Sequence, residues 1–172
     1  MNIPASHVAT AVAHPNIALV KYWGKRDERL NLPCVGSLSI TLDRIRTRTR
    51  VAFHAQAGAD RVRLNGAEGA TPRITAVLDL LRARAGVAWR AEVDSENDFP
   101  TAAGLASSAS GFAALVVAGA AALNLDLAPG ELSALARRGS GSAARSIFGG
   151  FVEWARGERA DGSDSIAHPV LD

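Results

Sequence analysis

A short segment rich in glycine, alanine and serine, residues 100–108, leads directly into a long apolar stretch. The first N–H groups of a helix have no intrahelical partner, and the helix dipole adds partial positive charge there. Small residues such as Gly104 would let an anion approach those groups, and the hydroxyls of Ser107 and Ser108 could bind phosphate or magnesium. The alternative is an ordinary capped helix with small residues for packing, and the Walker Gly-Lys-Ser/Thr pattern is absent.

A second glycine-serine segment, residues 139–146, is also surrounded by positive charge. Arg137 and Arg138 precede it, and Arg145 lies near its end. Arginine suits phosphate because its planar fork can donate two parallel hydrogen bonds. The alternative is a flexible glycine linker, but a linker does not need flanking arginines. The pattern therefore favours a second anion site.

A third segment, residues 16–26, carries an apolar run into a basic turn at Gly24. Lys21 and Lys25 could neutralise a phosphate or a carboxylate, and Tyr22 offers a hydroxyl. The spacing alone leaves the alternative of a strand end with solvated basic residues equally open.

Four strings carry a resemblance to a known family: NIALVKYWGKRDERLNLP, SLSITL, ENDFPTAAGLASSASGFAAL and RRGSGSAARSIFGGFVEW. In this order they resemble the diphosphomevalonate decarboxylase family of the GHMP small-molecule kinase superfamily. The resemblance implies that MgATP phosphorylates the tertiary hydroxyl of mevalonate 5-diphosphate. Loss of phosphate and CO2 then gives isopentenyl diphosphate, in the mevalonate pathway of isoprenoid biosynthesis.

The resemblance also implies a role for individual residues of each segment. The first segment would hold the ATP phosphates through Ala103, Gly104, Leu105, Ala106, Ser107 and Ser108. Mg²⁺ would bind at Ser107 or Ser108. Mevalonate diphosphate would contact Tyr22, Trp23, Gly24 and Lys25, together with Ser140, Gly141, Ser142, Ala143, Ala144 and Arg145. Lys21 would lie close to the reacting centre.

Two departures from the family pattern matter. The family usually has cysteine where this chain has Ala144. This change should be tolerated, because a neighbouring backbone amide can still donate a hydrogen bond. The family's second lobe carries an Asp-Ala-Gly-Pro-type segment, whose aspartate would deprotonate or orient the substrate hydroxyl, and this sequence contains no such segment. We therefore expect residues 1–172 to form the N-terminal, ATP-binding lobe, with the C-terminal lobe absent.

Without that lobe the chain is expected to be a weak catalyst, since an open cleft admits water. The uncovered apolar surface should favour a homodimer or other association. Two alternatives remain: a superfamily kinase acting on a mevalonate derivative without decarboxylation, and a non-catalytic lobe that binds nucleotide or RNA.

The order of predicted strands and helices along the chain indicates the α+β class, and these elements must position the three segments. Strands are predicted at residues 8–12, 38–42, 46–55, 89–93 and 151–155, with a hairpin turn at Asn65-Gly66. Helices are predicted from Thr71-Pro72 to Gly86, after Gly104, and over residues 129–138. The resemblance implies a first lobe related to a ribosomal-protein domain, with a sheet packed against helices.

Composition excludes several other classes of protein. Apolar residues make up 48% of the 172 residues and charged residues 21%, which indicates a folded core. A net charge of +2 is too mild to indicate nucleic acid, although the alternating arginines at 46, 48 and 50 leave that possibility open. One cysteine, Cys34, excludes an internal disulfide, and the four histidines show no metal spacing. The longest apolar run, residues 112–123, is too short to span a bilayer, and a cytoplasmic location is expected.

Overall fold

The computed structural model describes residues 7–69, 72–100 and 107–171, which form strands, three α-helices and a 3₁₀ helix. The strands are β1 (Val8–Ala13), β2 (Asn16–Val20), β3 (Lys25–Asp27), β4 (Leu32–Pro33), β5 (Ser37–Thr41), β6 (Thr47–His54), β7 (Arg61–Leu64), β8 (Ala67–Glu68), β9 (Arg90–Asn97), β10 (Phe151–Trp154) and β11 (Ala167–Leu171). The helices are α1 (Pro72–Ala85), α2 (Ser107–Ala122), α3 (Pro129–Gly139) and the 3₁₀ helix (Gly141–Ile147). The predicted α+β class is confirmed.

A five-stranded sheet has the order β1-β6-β9-β7-β8. Only the β7–β9 pair within it is parallel. The predicted hairpin turn joins β7 to β8, and both of its residues have positive φ, 50° at Asn65 and 79° at Gly66. Asparagine and glycine tolerate that conformation better than other residues, which explains why this dipeptide marks the turn.

The side chains of strand β6 alternate between the two faces of this sheet. Thr47, Thr49, Val51 and Phe53 are buried on the inner face, which packs against α2. The arginines alternate with them on the outer face, as the period of two predicts.

Carboxylates face the arginines on the outer surface of the sheet. Arg48 lies opposite Glu96 and Arg50 opposite Asp94 on β9, while Arg46 forms an ion pair of 3.2 Å with Asp98. The sequence predicted an exposed charged face here, and on that face arginines and carboxylates lie next to one another. Neighbouring acids cancel much of the positive potential that an RNA backbone would need.

The helices cover the inner face and complete one core. Ile74, Val77, Leu78 and Leu81 of α1 are all buried, as their spacing predicts, and Gly86 follows the helix with φ of +66°. Helix α2 is apolar on nearly all sides and largely buried, which its composition also predicts. Among the described residues, no helix is long and apolar enough to cross a membrane.

A second, four-stranded sheet has the order β11-β10-β5-β2. Val152, Trp154 and Ala167 are buried between this sheet and the 3₁₀ helix. The edge strands are different, because their large apolar side chains are exposed: Ile17, Leu19 and Val20 on β2, and Val170 and Leu171 on β11. Both edges of this sheet therefore expose apolar side chains to solvent.

Candidate functional site: an anion cleft between α2 and the 3₁₀ helix

The starts of α2 and of the 3₁₀ helix lie side by side. Ser108 Oγ is 3.4 Å from Ser140 Oγ, which is 3.4 Å from Ser142 Oγ. These distances exceed the usual O–H···O range of about 2.5–3.0 Å, so the hydroxyls are only weakly paired and can bond to a ligand. The structure thus brings the first and second predicted segments together at Ser108 and Ser140. The predicted ATP contacts Ala103, Gly104, Leu105 and Ala106 lie outside the described residues, and Ser107 is half-buried at the start of α2.

The second segment is a packed 3₁₀ helix, neither an open turn nor a flexible linker. Gly141, Ala143, Ala144 and Arg145 are buried, while Ser142 is half-buried. A Cβ on Gly141 would lie 2.9 Å from the Tyr22 hydroxyl and 3.2 Å from the Trp154 ring. The small residues are therefore needed for close approach as well as for any ligand.

Gly139 shows the same requirement most sharply, since a Cβ there would overlap the ring of the buried Phe112. Gly139→Ala should lower the free energy of unfolding by about 1–3 kcal/mol, the usual cost of overpacking. Gly149→Ala is the matched control, because a Cβ at Gly149 meets no atom within 4 Å. Urea unfolding measures both variants, and equal stability for the two would contradict this account.

Arg145 lies in the 3₁₀ helix and is only 2% exposed. Its Nε donates to Ser39 Oγ at 2.9 Å, its Nη1 to Ser37 Oγ at 2.5 Å and its Nη2 to Asn16 Oδ1 at 3.1 Å. The guanidinium also lies 6.0 Å from the Trp154 ring centroid. Within the described part of the chain, no carboxylate forms an ion pair with it.

Burial lowers the pKa of Arg145 to about 10, and proximity to Tyr22 opposes that shift. The side chain is still charged at neutral pH, because the pKa remains about three units above it. A buried charge without a counter-ion is costly, whereas a bound anion would compensate it. The site is therefore suited to a phosphate or a carboxylate.

Three polar residues that hold Arg145 were not predicted from the sequence. Asn16 also donates from Nδ2 to the Ser142 carbonyl at 3.0 Å and to Ser146 Oγ at 2.7 Å, so it ties β2 to the 3₁₀ helix. The available signal was weak: Asn16 heads an apolar run, and Ser37 and Ser39 alternate with larger apolar residues on β5. Such positions are also common in ordinary strands.

The basic turn lies at the same end of the molecule. Gly24 has φ of +69° and ends the connection from β2 to β3, a conformation that glycine adopts readily. Tyr22 packs edge-on against Trp154, with ring centroids 5.0 Å apart. Lys21 is exposed, and Trp23 is 75% exposed. Lys25 pairs with Glu28 at 3.0 Å within its own hairpin, so a ligand would have to compete with that carboxylate.

A cavity of about 210 Å³ adjoins the first turn of α2. Ser107 and Ser108 line it on one side, and Leu64, Ile74 and Phe112 form apolar walls. Apolar walls with a few polar groups at one end are typical of sites for planar organic ligands. No single motif predicted this cavity, because strands β6, β7 and β9 and helices α1 and α2 all contribute to it.

Magnesium would have few protein ligands here. Among the described residues, no group of three or more His, Cys, Asp or Glu side chains could hold a metal ion. Mg²⁺ commonly binds through substrate phosphates with only one or two protein ligands, which the exposed Ser108 or the half-buried Ser107 could supply.

Comparison with known proteins identifies the class of fold. The fold is the GHMP fold of solved mevalonate diphosphate decarboxylases. Residues 13–167 match the family described as the diphosphomevalonate decarboxylase-like N-terminal domain, and the chain belongs to that family.

Individual relatives are similar over nearly all of the chain. The diphosphomevalonate decarboxylase of Bos taurus is 48% identical over 95% of this chain and 44% of its own length. The mevalonate diphosphate decarboxylase structure from Enterococcus faecalis, described in terms of ATP binding mediated by mevalonate diphosphate, has a TM-score of 0.90 and 49% identity, covering 97% of this chain and 52% of that one. A structure of MDDEF in complex with MVAPP, AMPPCP and magnesium has a TM-score of 0.89 and 48% identity, covering 97% and 51%. This chain thus spans about half the length of the relatives it matches.

Proposed function

We propose that this chain forms the ATP- and substrate-binding half of an enzyme that decarboxylates mevalonate 5-diphosphate to isopentenyl diphosphate, with MgATP as co-substrate. The observation that carries the proposal is the buried Arg145, which is held by three polar side chains and has no carboxylate partner among the described residues. The substrate carries both a diphosphate and a carboxylate, and either anion fits that site.

In this proposal the substrate lies between the basic turn and the 3₁₀ helix. Arg145, Ser140 and Ser142 bind its anionic groups, with backbone contacts from Gly141, Ala143 and Ala144. The other side of the substrate site is formed by Tyr22, Trp23, Gly24 and Lys25. Lys21 supplies positive charge near the reacting hydroxyl. The packing of Tyr22 on Trp154 supports a fixed position for that wall.

ATP occupies the other half of the cleft. Its phosphates lie at the start of α2, near Ser107 and Ser108 and the segment Ala103, Gly104, Leu105 and Ala106. Its base and ribose enter the adjoining cavity. When bound, Mg²⁺ would neutralise phosphate charge, held in part by the hydroxyl of Ser107 or Ser108.

The contact between Ser108 and Ser140 supports direct transfer between the two ligands. Phosphoryl transfer depends mainly on positioning and on stabilisation of charge, and neighbouring hydroxyls from the two half-sites would hold donor and acceptor together. Phosphorylation of the tertiary hydroxyl turns it into a good leaving group. Its departure as phosphate draws the electron pair of the breaking C–CO2 bond into the new double bond, and CO2 is released.

The proposal leaves the general base to a second lobe, because the family locates that aspartate in a segment this sequence does not contain. General-base catalysis contributes about 10²–10⁴-fold, and an open cleft costs more by admitting water. We expect the chain alone to bind both ligands and to release CO2 slowly.

The test is turnover of mevalonate diphosphate with MgATP, by this chain alone and then with the C-terminal half of a similar decarboxylase. Labelled CO2 should be released efficiently only by the pair. Efficient release by the chain alone would show that the second lobe is not needed. A stable 3-phosphate without CO2 would support the kinase alternative, and salt-dependent RNA binding that ATP does not disturb would support the non-catalytic one.

The exposed apolar edge strands lead to a separate prediction about association. At concentrations of tens of micromolar, light scattering should detect dimers or larger species of this chain alone. Leu19→Lys, on the exposed part of β2, should shift the distribution towards monomer, because a charge there opposes burial of the edge. Val12→Lys on the exposed edge of the other sheet is the matched control, and an equal effect from both would contradict association through β2.

A further inference from the structure

A chain of buried and part-buried hydrogen bonds joins α2 to the five-stranded sheet beside the proposed nucleotide cavity. Ser110 is fully buried in α2, and its Oγ lies 2.6 Å from Thr47 Oγ1 on β6. Thr47 Oγ1 in turn donates to Asn97 Oδ1 on β9 at 2.7 Å. The network therefore crosses from the helix through two strands.

The direction of these bonds follows from the number of protons. Thr47 has one hydroxyl proton, which it donates to Asn97, so Ser110 must be the donor in the short contact between the two hydroxyls. The other contact of Ser110, to the Ser107 carbonyl, is long at 3.4 Å. The bond to Thr47 is consequently the main one that Ser110 makes.

This bond matters because the buried neighbours of Ser110 on this face of the helix are alanines, while the larger Phe112 packs against Gly139 of α3. Ala109, Ala113 and Ala114 beside Ser110 are fully buried, and alanine contacts are non-directional. Such contacts bury area without fixing the rotation of a helix about its axis. A hydrogen bond has a preferred length and angle, so Ser110 can set that rotation.

We propose that Ser110 is a positioning residue that fixes the first turn of α2 on β6 and so aims the start of that helix at the nucleotide phosphates. Ser110 lies one turn after Ser107 and faces the sheet, whereas Ser107 and Ser108 line the cavity. This inference rests on the proposed function, since it assigns a role in holding MgATP.

The test is Ser110→Ala, measured by calorimetric titration with MgATP and separately with mevalonate diphosphate. Loss of one positioning hydrogen bond should weaken MgATP binding about fivefold and leave mevalonate diphosphate binding within about twofold. Hydrogen–deuterium exchange should rise at the amides of residues 111–114, which bond to the carbonyls of the first turn, and stay unchanged at the 3₁₀ helix.

Ser165→Ala is the matched control, because Ser165 is also fully buried and its hydroxyl is also hydrogen-bonded, with Trp154 Nε1 and the Ala155 carbonyl. It should leave MgATP affinity unchanged. Thr47 also lines the cavity, so its test is a double-mutant cycle. Thr47→Val should weaken MgATP binding in the unsubstituted chain but add little to Ser110→Ala, because the two hydroxyls share one hydrogen bond, whereas Thr47→Ser keeps the hydroxyl and should keep the affinity.

Unchanged MgATP affinity and unchanged exchange in Ser110→Ala would overturn the inference. An equal loss of both ligands, or the same loss in Ser165→Ala, would also overturn it, because it would indicate general loosening. Failure of the unsubstituted chain to bind MgATP would instead refute the proposed function. Exchange at the amides of residues 111–114 would then still show whether Ser110 fixes the turn.

Discussion

Arg145→Gln should weaken the binding of mevalonate diphosphate about 100-fold, because charge-assisted hydrogen bonds contribute about 1.5–3 kcal/mol each and the guanidinium can donate two. The free energy of unfolding should change little. The variant loses bonds to Ser37, Ser39 and Asn16, but it also removes a buried charge whose desolvation is unfavourable. Titration calorimetry and urea unfolding measure the two effects separately.

Two further variants identify the cause of that loss. Arg145→Lys keeps the charge but cannot donate from a planar fork, so its affinity should fall between that of the unsubstituted chain and that of Arg145→Gln. Arg84→Gln removes the same charge from an exposed ion pair with Glu131 and should leave affinity unchanged. Binding by Arg145→Gln as tight as that of the unsubstituted chain would contradict the assignment of Arg145 to the substrate.

Arg82→Met should produce the largest loss of stability, roughly 3–5 kcal/mol, the usual cost of breaking a buried ion pair from one side. Arg82 donates from Nη2 to both oxygens of Asp60, at 2.6 and 2.5 Å, and from Nε to the Trp89 carbonyl at 2.8 Å. Asp60 also accepts from the Ala91 N–H, so it joins the start of β9 to α1. Without Arg82, that carboxylate is left buried and uncompensated.

The control for Arg82→Met is a substitution at Asp79, the second carboxylate that Arg82 contacts. Asp79 lies 3.0 Å from Arg82 Nη1, but its side chain is 58% exposed, so Asp79→Ala should cost less than about 1 kcal/mol. Adding Asp60→Asn to Arg82→Met should recover part of the stability, since an amide leaves no buried charge. A loss in Arg82→Met no greater than that in Asp79→Ala would contradict the importance of the pair.

Local patterns in the sequence predicted several elements, because neighbouring residues determine them, but β3, β4 and β11 were not predicted. The alternation on β6, the Asn65-Gly66 turn and the buried stripe of α1 each depend on a few adjacent positions and a known period. Differences at these elements are confined to their ends. Trp89, for example, precedes β9, and the last predicted strand ends at Trp154.

The surroundings of the candidate site were much less predictable. Asn16, Ser37 and Ser39 meet Arg145 from positions more than a hundred residues earlier in the chain, and nothing in their own neighbourhoods indicates that contact. The conformation of residues 139–146 also differs from the sequence expectation. Their glycines indicated an open turn, whereas packing against Phe112 and Trp154 selects a compact 3₁₀ helix.

The alternation of β6 limits which changes in chain length the molecule can accept. Its even-numbered arginines meet carboxylates, and its odd-numbered threonines face the cavity and α2. Insertion of one residue just before Thr49 would exchange the two faces for the part of β6 on one side of the insertion, because a strand repeats every two residues. Cationic side chains would then enter the ligand cavity while hydroxyls turned outward. The same insertion in the exposed loop at residues 55–59, beyond the end of β6, would leave both faces intact.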